Sequence, residues 1–198
     1  MKKIVFTMTL LLATIAVYAQ TATQVLDKTA QKLTAKSGVK ADFKASTPQG
    51  SITGTIAVKG NKFMATTQHT KVWFDGKTQW TYLTRNDEVN ISNPKDSELQ
   101  SLNPYNFINM YKKGYKSTMR KDGGSYVVHL TADSKAKKVQ ELFITVDSKS
   151  YNPTQVKMLQ GKKWTTFDVT NLKQEKLPDS MFRFNSKDFP TAEVIDLR

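Results

Sequence analysis

From residue 39 onward, apolar and polar residues alternate along most of the chain, and this period of two constrains the fold more than any other feature of the sequence. The run 39–45, for example, places Val, Ala, Phe and Ala at odd positions with Lys or Asp between them. Short segments rich in Gly, Asn, Asp or Pro, which favour tight turns, separate this run from those that follow it. The pattern predicts about ten or eleven antiparallel strands in succession, each with one apolar face.

Two segments instead show the helical spacing of apolar residues. Residues 22–35 carry an apolar stripe that includes Leu26 and Leu33, and a polar back, which is typical of a helix lying on an apolar surface. The segment 97–111 has similar spacing and is interrupted by Pro104, so we predict two short helices with a bend there. Because a sheet with one wet face must cover the other, we predict a mainly β fold with some α-helix. The predicted fold is a strongly curved antiparallel sheet, an incomplete and half-open β-barrel, whose concave face is covered by the N-terminal helix and a helical lid segment.

The first residues have the pattern of a secretory signal peptide. Two lysines precede an almost wholly apolar run, 4–17, and Val17 and Ala19 then supply small residues at the minus-three and minus-one positions of a cleavage site before Gln20. We expect residues 1–19 to be removed and residues 20–198 to form one exported, soluble domain. The sequence contains no cysteine, so the domain has no disulfide and no thiol that could be lipidated.

The net charge of the chain is strongly positive, at +13. Such a balance is found in proteins that bind nucleic acid or anionic membrane surfaces. The lysines are spread over nearly every predicted strand and turn with no run of five, which indicates a solvated surface. Because export separates the protein from nucleic acid, we expect no nucleic-acid partner, and weak attraction to acidic membranes is a secondary possibility.

Residues with catalytic or metal-binding chemistry are few. The two histidines, His69 in a polar turn and His129 at an outward-facing strand position, have no Cys, His or acidic residue at metal-ligand spacing. The sequence has neither a Gly-x-Ser-x-Gly nucleophile elbow nor a glycine-rich phosphate loop. We therefore expect no catalytic residue, no metal and no cofactor. An acid pair that meets only in the folded chain, as in an enzyme acting on a lipid or glycan, remains an open alternative.

Aromatic and aliphatic residues on the predicted inner face of the sheet are the most informative group. Two short helices offer little cover for so many strands, which favours an apolar ligand cavity, while a dry packed core is the alternative. The predicted lining of the cavity and the lid consists of Leu26, Leu33, Phe43, Ile52, Ile56, Phe63, Val72, Phe74, Trp80, Tyr82, Val89, Ile91, Leu102, Phe107, Met110, Val128, Leu130, Leu142, Ile144, Met158 and Phe167.

The segment 75–82, Asp-Gly-Lys-Thr-Gln-Trp-Thr-Tyr, resembles the bacterial outer-membrane lipoprotein carrier family, LolA, in which a strand, an Asp-Gly-Lys-Thr turn and a Trp-x-Tyr strand follow one another. The resemblance extends in order to the closing Phe182-Arg183-Phe184. It implies a half-barrel with a lid that carries the acyl chains of lipoproteins through the periplasm. The donor would be an inner-membrane ABC-type lipoprotein release complex, and an outer-membrane acceptor would receive the cargo. We expect a monomer, and the alternative function on the same fold is a lipid- or lipoprotein-sensing or glycolipid-binding module.

One turn departs from the family's pattern. Members hold the lid with an arginine in the turn after the second strand, just before a proline, whereas this turn reads Lys59-Gly60-Asn61. Lys59 or Lys62 would be the nearest substitute, although lysine lacks the planar donor fork of arginine. The resemblance therefore implies a lid latch that differs from the family's.

The covering segment also suggests how an acyl chain would enter. We predict that Trp80 and Tyr82 contact Leu102, Phe107 and Met110 when the cavity is empty, because apolar surfaces facing an empty space close onto one another. An acyl chain would replace those contacts at small net cost, which would make loading reversible.

Overall fold

The computed structural model describes residues 20–94 and 110–198. The predicted signal peptide and the lid residues Leu102 and Phe107 lie outside these ranges. Within them the chain forms one α-helix, α1 (Ala22–Leu33), three short 3-10 turns and a single sheet. The strands of the sheet are β1 (Val39–Thr47), β2 (Gly50–Lys59), β3 (Lys62–Thr67), β4 (Thr70–Phe74), β5 (Gln79–Leu83), β6 (Glu88–Ser92), β7 (Tyr115–Asp122), β8 (Ser125–Ala132), β9 (Val139–Asp147), β10 (Pro153–Gln160), β11 (Lys163–Gln174) and β12 (Glu193–Asp196).

Two meanders, β1 to β6 and β7 to β11, join through the pairing of β1 with β11. The full order is β12-β6-β5-β4-β3-β2-β1-β11-β10-β9-β8-β7, and all neighbours are antiparallel except β6 and β12. The sheet is curved and does not close, since the strands at its two ends, β12 and β7, are not paired with each other. The predicted mainly β, half-open architecture is confirmed, and the short parallel strand β12 is an addition to it.

Local sequence signals define the bounds of α1. Thr21 and Gln24 form a capping box, in which the Gln24 N–H donates to Thr21 Oγ1 at 3.2 Å and the Thr21 N–H donates to Gln24 Oε1 at 3.0 Å. At the other end, the Thr34 hydroxyl donates to the Ala30 carbonyl at 2.9 Å. The predicted helix is therefore present and ends two residues before the predicted limit.

Helix α1 lies on one face of the sheet, which we call the inner face. Val25 and Leu26, both fully buried, pack against a cluster from β8 to β10. The C-terminal half of α1, with Ala30 and Leu33, packs against a second cluster from β1 to β4. The two clusters consist of the buried residues Val39, Val58, Phe63, Phe74, Met110, Val128, Val139, Leu130, Leu142, Ile144, Val146, Val156 and Met158.

The opposite, outer face is covered over β2 to β6 by the segment 175–192, which we call the strap. Leu177 and Phe182 of the strap are buried against Ala57. Trp73 on β4 meets the rings of Phe184 and Phe189 edge-on, at centroid distances of 5.7 and 5.6 Å. The sheet therefore has an apolar core on each face.

The strap explains a correction to the predicted faces of β5 and β6. Register places Trp80 opposite Trp73 and Tyr82 opposite Lys71, so both aromatic residues lie on the outer face. Val89 and Ile91 pair with Tyr82 and Trp80 and lie on that face too. The prediction that these four residues line the inner face is wrong.

The physical reason lies in β4, which is apolar at three consecutive positions. Val72 and Phe74 point inward and Trp73 points outward. Alternation alone therefore does not determine on which face of the sheet the aromatic residues of β5 lie. The turn 75–78 then fixes the register in which Phe74 pairs with Gln79. Gln79 and Thr81 thereby take the inward positions of β5.

None of the helices in residues 20–94 and 110–198 has the length and apolar character that spanning a bilayer requires.

Candidate functional site

Helix α1 covers only part of the inner face, and the apolar side chains beyond it are half-buried. This group spans five neighbouring strands, β11, β1, β2, β3 and β4. We call it the open strip, and it consists of Phe43, Ala45, Ile52, Ile56, Ala65, Val72, Phe167 and Val169.

Direct cross-strand pairs make the open strip continuous. Ala45 pairs with Ile52 on one side and with Phe167 on the other. Ile56 pairs with Ala65, which in turn pairs with Val72. Because directly paired residues share a face, these side chains form one apolar surface.

Phe43 holds a central position in the strip because its cross-strand neighbour is Gly54. A Cβ on Gly54 would lie 2.7 Å from Phe43 Cζ and 2.3 Å from the Thr66 carbonyl oxygen. The glycine therefore leaves the space that the Phe43 ring occupies. Sequence periodicity identified Phe43 as inward-facing but gave no signal for this function of Gly54.

The predicted lining residues fall into two groups by burial. Phe43, Ile52, Ile56, Val72 and Phe167 belong to the open strip, to which the structure adds Ala45, Ala65 and Val169. The remaining inward-facing lining residues of the described ranges are buried in the two clusters under α1, as the dry-core alternative describes. They are Leu26, Leu33, Phe63, Phe74, Met110, Val128, Leu130, Leu142, Ile144 and Met158.

The predicted contact between the lid and Trp80 and Tyr82 also needs correction for the described part of the lid. Met110 lies in the inner-face cluster with Val25 and Leu26, whereas Trp80 and Tyr82 lie on the outer face. Tyr82 instead contacts Phe189 of the strap, at a centroid distance of 4.6 Å. The sheet therefore separates these groups.

Polar side chains border the open strip at β5 and β6. The inward positions next to Val72 are Thr81 and, beyond it, Asn90, whose amide donates to the Glu88 carboxylate. Gln79 is buried and donates through Nε2 to Thr81 Oγ1 at 3.2 Å, while its Oε1 has no hydrogen-bond partner among residues 20–94 and 110–198. The inner face thus passes from apolar to polar across neighbouring strands, which suits an amphiphilic molecule better than a purely apolar one.

The lysines of the turn after β2 hold the strap. Lys59 Nζ donates to the Leu177 carbonyl at 2.8 Å and lies 2.9 Å from Asp179 Oδ1, and Lys62 Nζ lies 3.1 Å from Asp179 Oδ2. Hydrogen bonds from Lys59 and Lys62 hold the pKa of Asp179 below its ordinary value. Within the described ranges both lysines therefore latch the strap on the outer face.

Arg183 forms a second fastening of the strap. Its Nε and Nη2 both lie 3.1 Å from Asp75 Oδ2. Burial raises the pKa of Asp75, but hydrogen bonds from the Thr78 and Lys77 N–H groups and from Arg183 outweigh it and leave the pKa lowered. The Asp-Gly-Lys-Thr turn thus anchors the strap.

Groups with catalytic or metal-binding chemistry do not gather on the inner face. The described ranges hold no group of three or more His, Asp or Glu side chains that could bind a metal ion. His129 lies 3.0 Å from Glu141 on the outer face, a pair formed across β8 and β9 that sequence spacing did not reveal. A nearby outer groove of about 410 Å³ is lined by charged and polar side chains that include Arg120 and Lys157, which is unlike an acyl-chain site.

Comparison with known proteins gives one family and several structures. The model of the family described as outer membrane lipoprotein carrier protein LolA matches residues 12–162, more than half of the chain. No curated protein matches the chain. An uncharacterized conserved protein from Thermus thermophilus is 12% identical, with a TM-score of 0.62 over 89% of this chain and 99% of that chain. This likeness shows that the two proteins share a fold.

Two further structures are more distant. A LolA superfamily protein from Nitrosomonas europaea is 12% identical, with a TM-score of 0.46 over 84% of this chain and 99% of that chain. MucB from Pseudomonas aeruginosa, in its complex with MucA, is 12% identical, with a TM-score of 0.44 over 83% of this chain and 61% of that chain.

Proposed function

The chain belongs to the family of the outer membrane lipoprotein carrier protein LolA, and on this premise we propose that it binds the acyl chains of lipoproteins on the open strip and carries them between membranes. The single observation that carries the proposal is the open strip itself. It is a continuous apolar surface, built on five paired strands and left half-buried next to α1. Contiguous apolar surface of this kind marks a binding site rather than a solvated face.

The free energy gained by burying an acyl chain is large enough for such a site to hold it. Each methylene group removed from water contributes about 0.8 kcal/mol, so one acyl chain gains on the order of 10 kcal/mol before the entropic cost of ordering it. The polar border at Gln79, Thr81 and Asn90 gives the polar end of the amphiphile a place beside the strip. No chemical step is needed for this function, so we propose a carrier and not an enzyme.

The route of transfer follows from the same premise. We propose that residues 1–19 direct export and are removed, and that residues 20–198 act as a monomeric domain in the periplasm. Acylated lipoproteins would come from an inner-membrane ABC-type release complex and pass to an outer-membrane acceptor. No cofactor or nucleic acid takes part.

A pair of substitutions on one strand tests the site. Ile52→Asp places a charge in the open strip, and Ser51→Asp places the same charge on the adjacent, exposed outward position of β2. We expect Ile52→Asp to weaken the binding of a fluorescent fatty-acid probe by about tenfold or more, because the carboxylate would have to lose water against the acyl chain. Ser51→Asp should leave the affinity unchanged. Circular dichroism checks that both variants keep the sheet, and equal affinities in two folded variants would exclude the open strip as the site.

Two experiments in the cell distinguish a lipoprotein cargo from a glycolipid cargo and a carrier from a sensing module. Native mass spectrometry of protein purified from the periplasm should show co-purified acylated lipoprotein, whereas a glycolipid there would support the alternative cargo. Depletion of a carrier should leave lipoproteins in the inner-membrane fraction. If depletion changes only a stress response and leaves lipoprotein distribution intact, the sensing module replaces the carrier.

A further inference from the structure

Lysines are concentrated at one edge of the sheet. This edge is formed by strand ends and not by an edge strand: β7 and β9 begin there, and β8 and β10 end there. Along the part of this edge formed by β7 to β11, three segments, 110–118, 131–138 and 160–163, together contain eight lysines and a single acidic residue, Asp133. These segments make up about a tenth of the chain, yet they hold more than half of its net charge of +13. We call this group the lysine edge: Lys112, Lys113, Lys116, Lys135, Lys137, Lys138, Lys162 and Lys163.

Strand pairing brings the three segments together. Tyr115 at the start of β7 pairs with Ala132 at the end of β8, and Gln160 at the end of β10 pairs with both Val139 and Lys163. The segments are therefore neighbouring turns of one sheet edge, although up to about fifty residues separate them in the sequence.

The loops of the lysine edge are fixed by hydrogen bonds. The Asp133 N–H donates to the Gly114 carbonyl at 3.1 Å, which ties the first segment to the second. The Tyr115 hydroxyl donates to the Val139 carbonyl at 2.9 Å, and Lys137 Nζ lies 5.6 Å from the centre of the Tyr115 ring. The backbone thus presents these charges on a defined surface.

The charges of the lysine edge are available to a partner. Seven of its lysines are exposed and Lys137 is half-buried, and in the described ranges none of the eight pairs with a carboxylate. Lysine is a strongly hydrated point charge without the donor fork that recognises one phosphate group bidentately. Such a set suits a surface that carries many negative charges rather than one bound anion.

The open strip faces the same edge. Ser46 pairs with Thr166, so the turn between β1 and β2 lies beside the beginning of β11. Phe167 lies four residues after Lys163 on β11, which corresponds to about 13 Å along the strand. Over β1 and β2, helix α1 instead covers the inner face towards the other edge, at Val39 and Val58.

We propose that the lysine edge docks the protein onto a membrane surface that carries anionic phospholipid headgroups. Charge complementarity selects this occupant, because basic residues near such a surface each add to the attraction and the attraction falls off within a Debye length. Docking at this edge brings the end of the open strip that lies away from α1 to the headgroup layer, where acyl chains enter and leave the bilayer. The orientation of the strip rests on the proposed carrier function, whereas the docking itself does not.

Vesicle binding by three proteins tests the proposal. The first is the unaltered protein. The second carries Lys112→Gln, Lys113→Gln, Lys135→Gln and Lys138→Gln. The third is a control with the same change of charge at four exposed lysines of the opposite edge and its flanks, Lys36→Gln, Lys77→Gln, Lys121→Gln and Lys176→Gln. Co-sedimentation is measured with phosphatidylcholine vesicles, with and without about one third phosphatidylglycerol, at low and physiological salt.

We expect the unaltered protein to bind the vesicles that contain phosphatidylglycerol and not those of phosphatidylcholine alone. The lysine-edge variant should lose about tenfold or more in affinity, while the control should stay within about twofold. Equal losses in the two variants would show that net charge, not this edge, is responsible. If the unaltered protein does not bind vesicles that contain phosphatidylglycerol even at low salt, the proposal is also overturned. The lysine edge would then be assigned to an acidic protein partner.

Fatty-acid probe binding without vesicles separates this proposal from the carrier function. The lysine-edge variant should bind the probe with unchanged affinity, because its substitutions lie outside the open strip. If Ile52→Asp leaves probe binding intact while the lysine-edge variant loses vesicle binding, the carrier proposal fails and the docking proposal stands.

Discussion

The ring of Phe43 occupies the space that a side chain on Gly54 would need. Gly54→Ala would bring a Cβ within 2.7 Å of Phe43 Cζ and 2.3 Å of the Thr66 carbonyl oxygen, and the latter is backbone and has little room to move. We expect the substitution to lower the free energy of unfolding by about 1–3 kcal/mol, as overpacking does. It should also weaken fatty-acid probe binding, because the Phe43 ring must shift.

Gly124 provides the control for this prediction. A Cβ there meets nothing within 4 Å, and its backbone is not in the left-handed region. Gly124→Ala should therefore leave urea unfolding and probe binding nearly unchanged. If both alanine variants unfold at the same urea concentration as the unaltered protein, the close packing of Phe43 on Gly54 is not a constraint in solution.

Lys59 and Lys62 make different contributions to fastening the strap. Lys59 donates to the Leu177 carbonyl as well as to Asp179, whereas the partner of Lys62 in the described part of the chain is the exposed Asp179 carboxylate. A hydrogen bond from a charged donor to a buried acceptor contributes about 1.5–3 kcal/mol, so we expect Lys59→Met to cost about that much. Lys62→Met should cost clearly less, because exposed ion pairs contribute little. Chemical unfolding of the two variants measures the difference, and a larger loss for Lys62→Met would contradict the assigned geometry.

The strap should loosen in acid before the rest of the sheet. The pKa values of Asp75 and Asp179 are lowered in the folded protein from an ordinary 3.8. A lowered pKa gives stability that is fully present above the ordinary value and is lost as the pH falls through the folded value. Acidification below about pH 4 should therefore change the fluorescence of Trp73, which contacts the strap, while the far-ultraviolet circular dichroism is kept.

An asparagine variant checks the origin of this transition. Asp75→Asn keeps an acceptor for the turn N–H groups but removes the charge that holds Arg183. The acid-induced fluorescence change should then be smaller, because part of the strap's attachment is already gone at neutral pH. An unchanged acid transition in this variant would place its cause elsewhere in the chain.

The main elements of the fold could be predicted because each has a strong local signal. The capping box at Thr21 and Gln24 marks the beginning of α1, and the alternation from Val39 onward marks the strands. The turn residues between strands were equally clear. These signals depend on neighbours in sequence, so they can be recognised without knowing which surfaces meet.

The outer face could not be predicted, because its cover comes from far along the chain. Tyr82 and Phe189 are in contact but more than a hundred residues apart, and nothing near β5 reveals that a strap will bury an aromatic cluster there. An outward tryptophan therefore has the same local pattern as an inward one. The degree of burial of each inner-face residue could likewise not be predicted from the sequence. Phe63 and Phe43 lie in the same alternating pattern of apolar and polar residues, but only Phe63 lies under α1.

The placement of the three tryptophans yields a direct test of which face binds acyl chains. Trp73 and Trp80 lie on the outer face with the strap, and register places Trp164 on the outer face of β11, opposite Leu159. A brominated fatty acid quenches tryptophan on contact, so its binding to the open strip should leave the native fluorescence almost unchanged. In Phe43→Trp, the new tryptophan lies in the strip and should be strongly quenched. Phe143→Trp adds a tryptophan on the outer face and serves as the control, which should stay unquenched. Strong quenching of the native tryptophans would move the acyl site to the outer face and refute its assignment to the open strip.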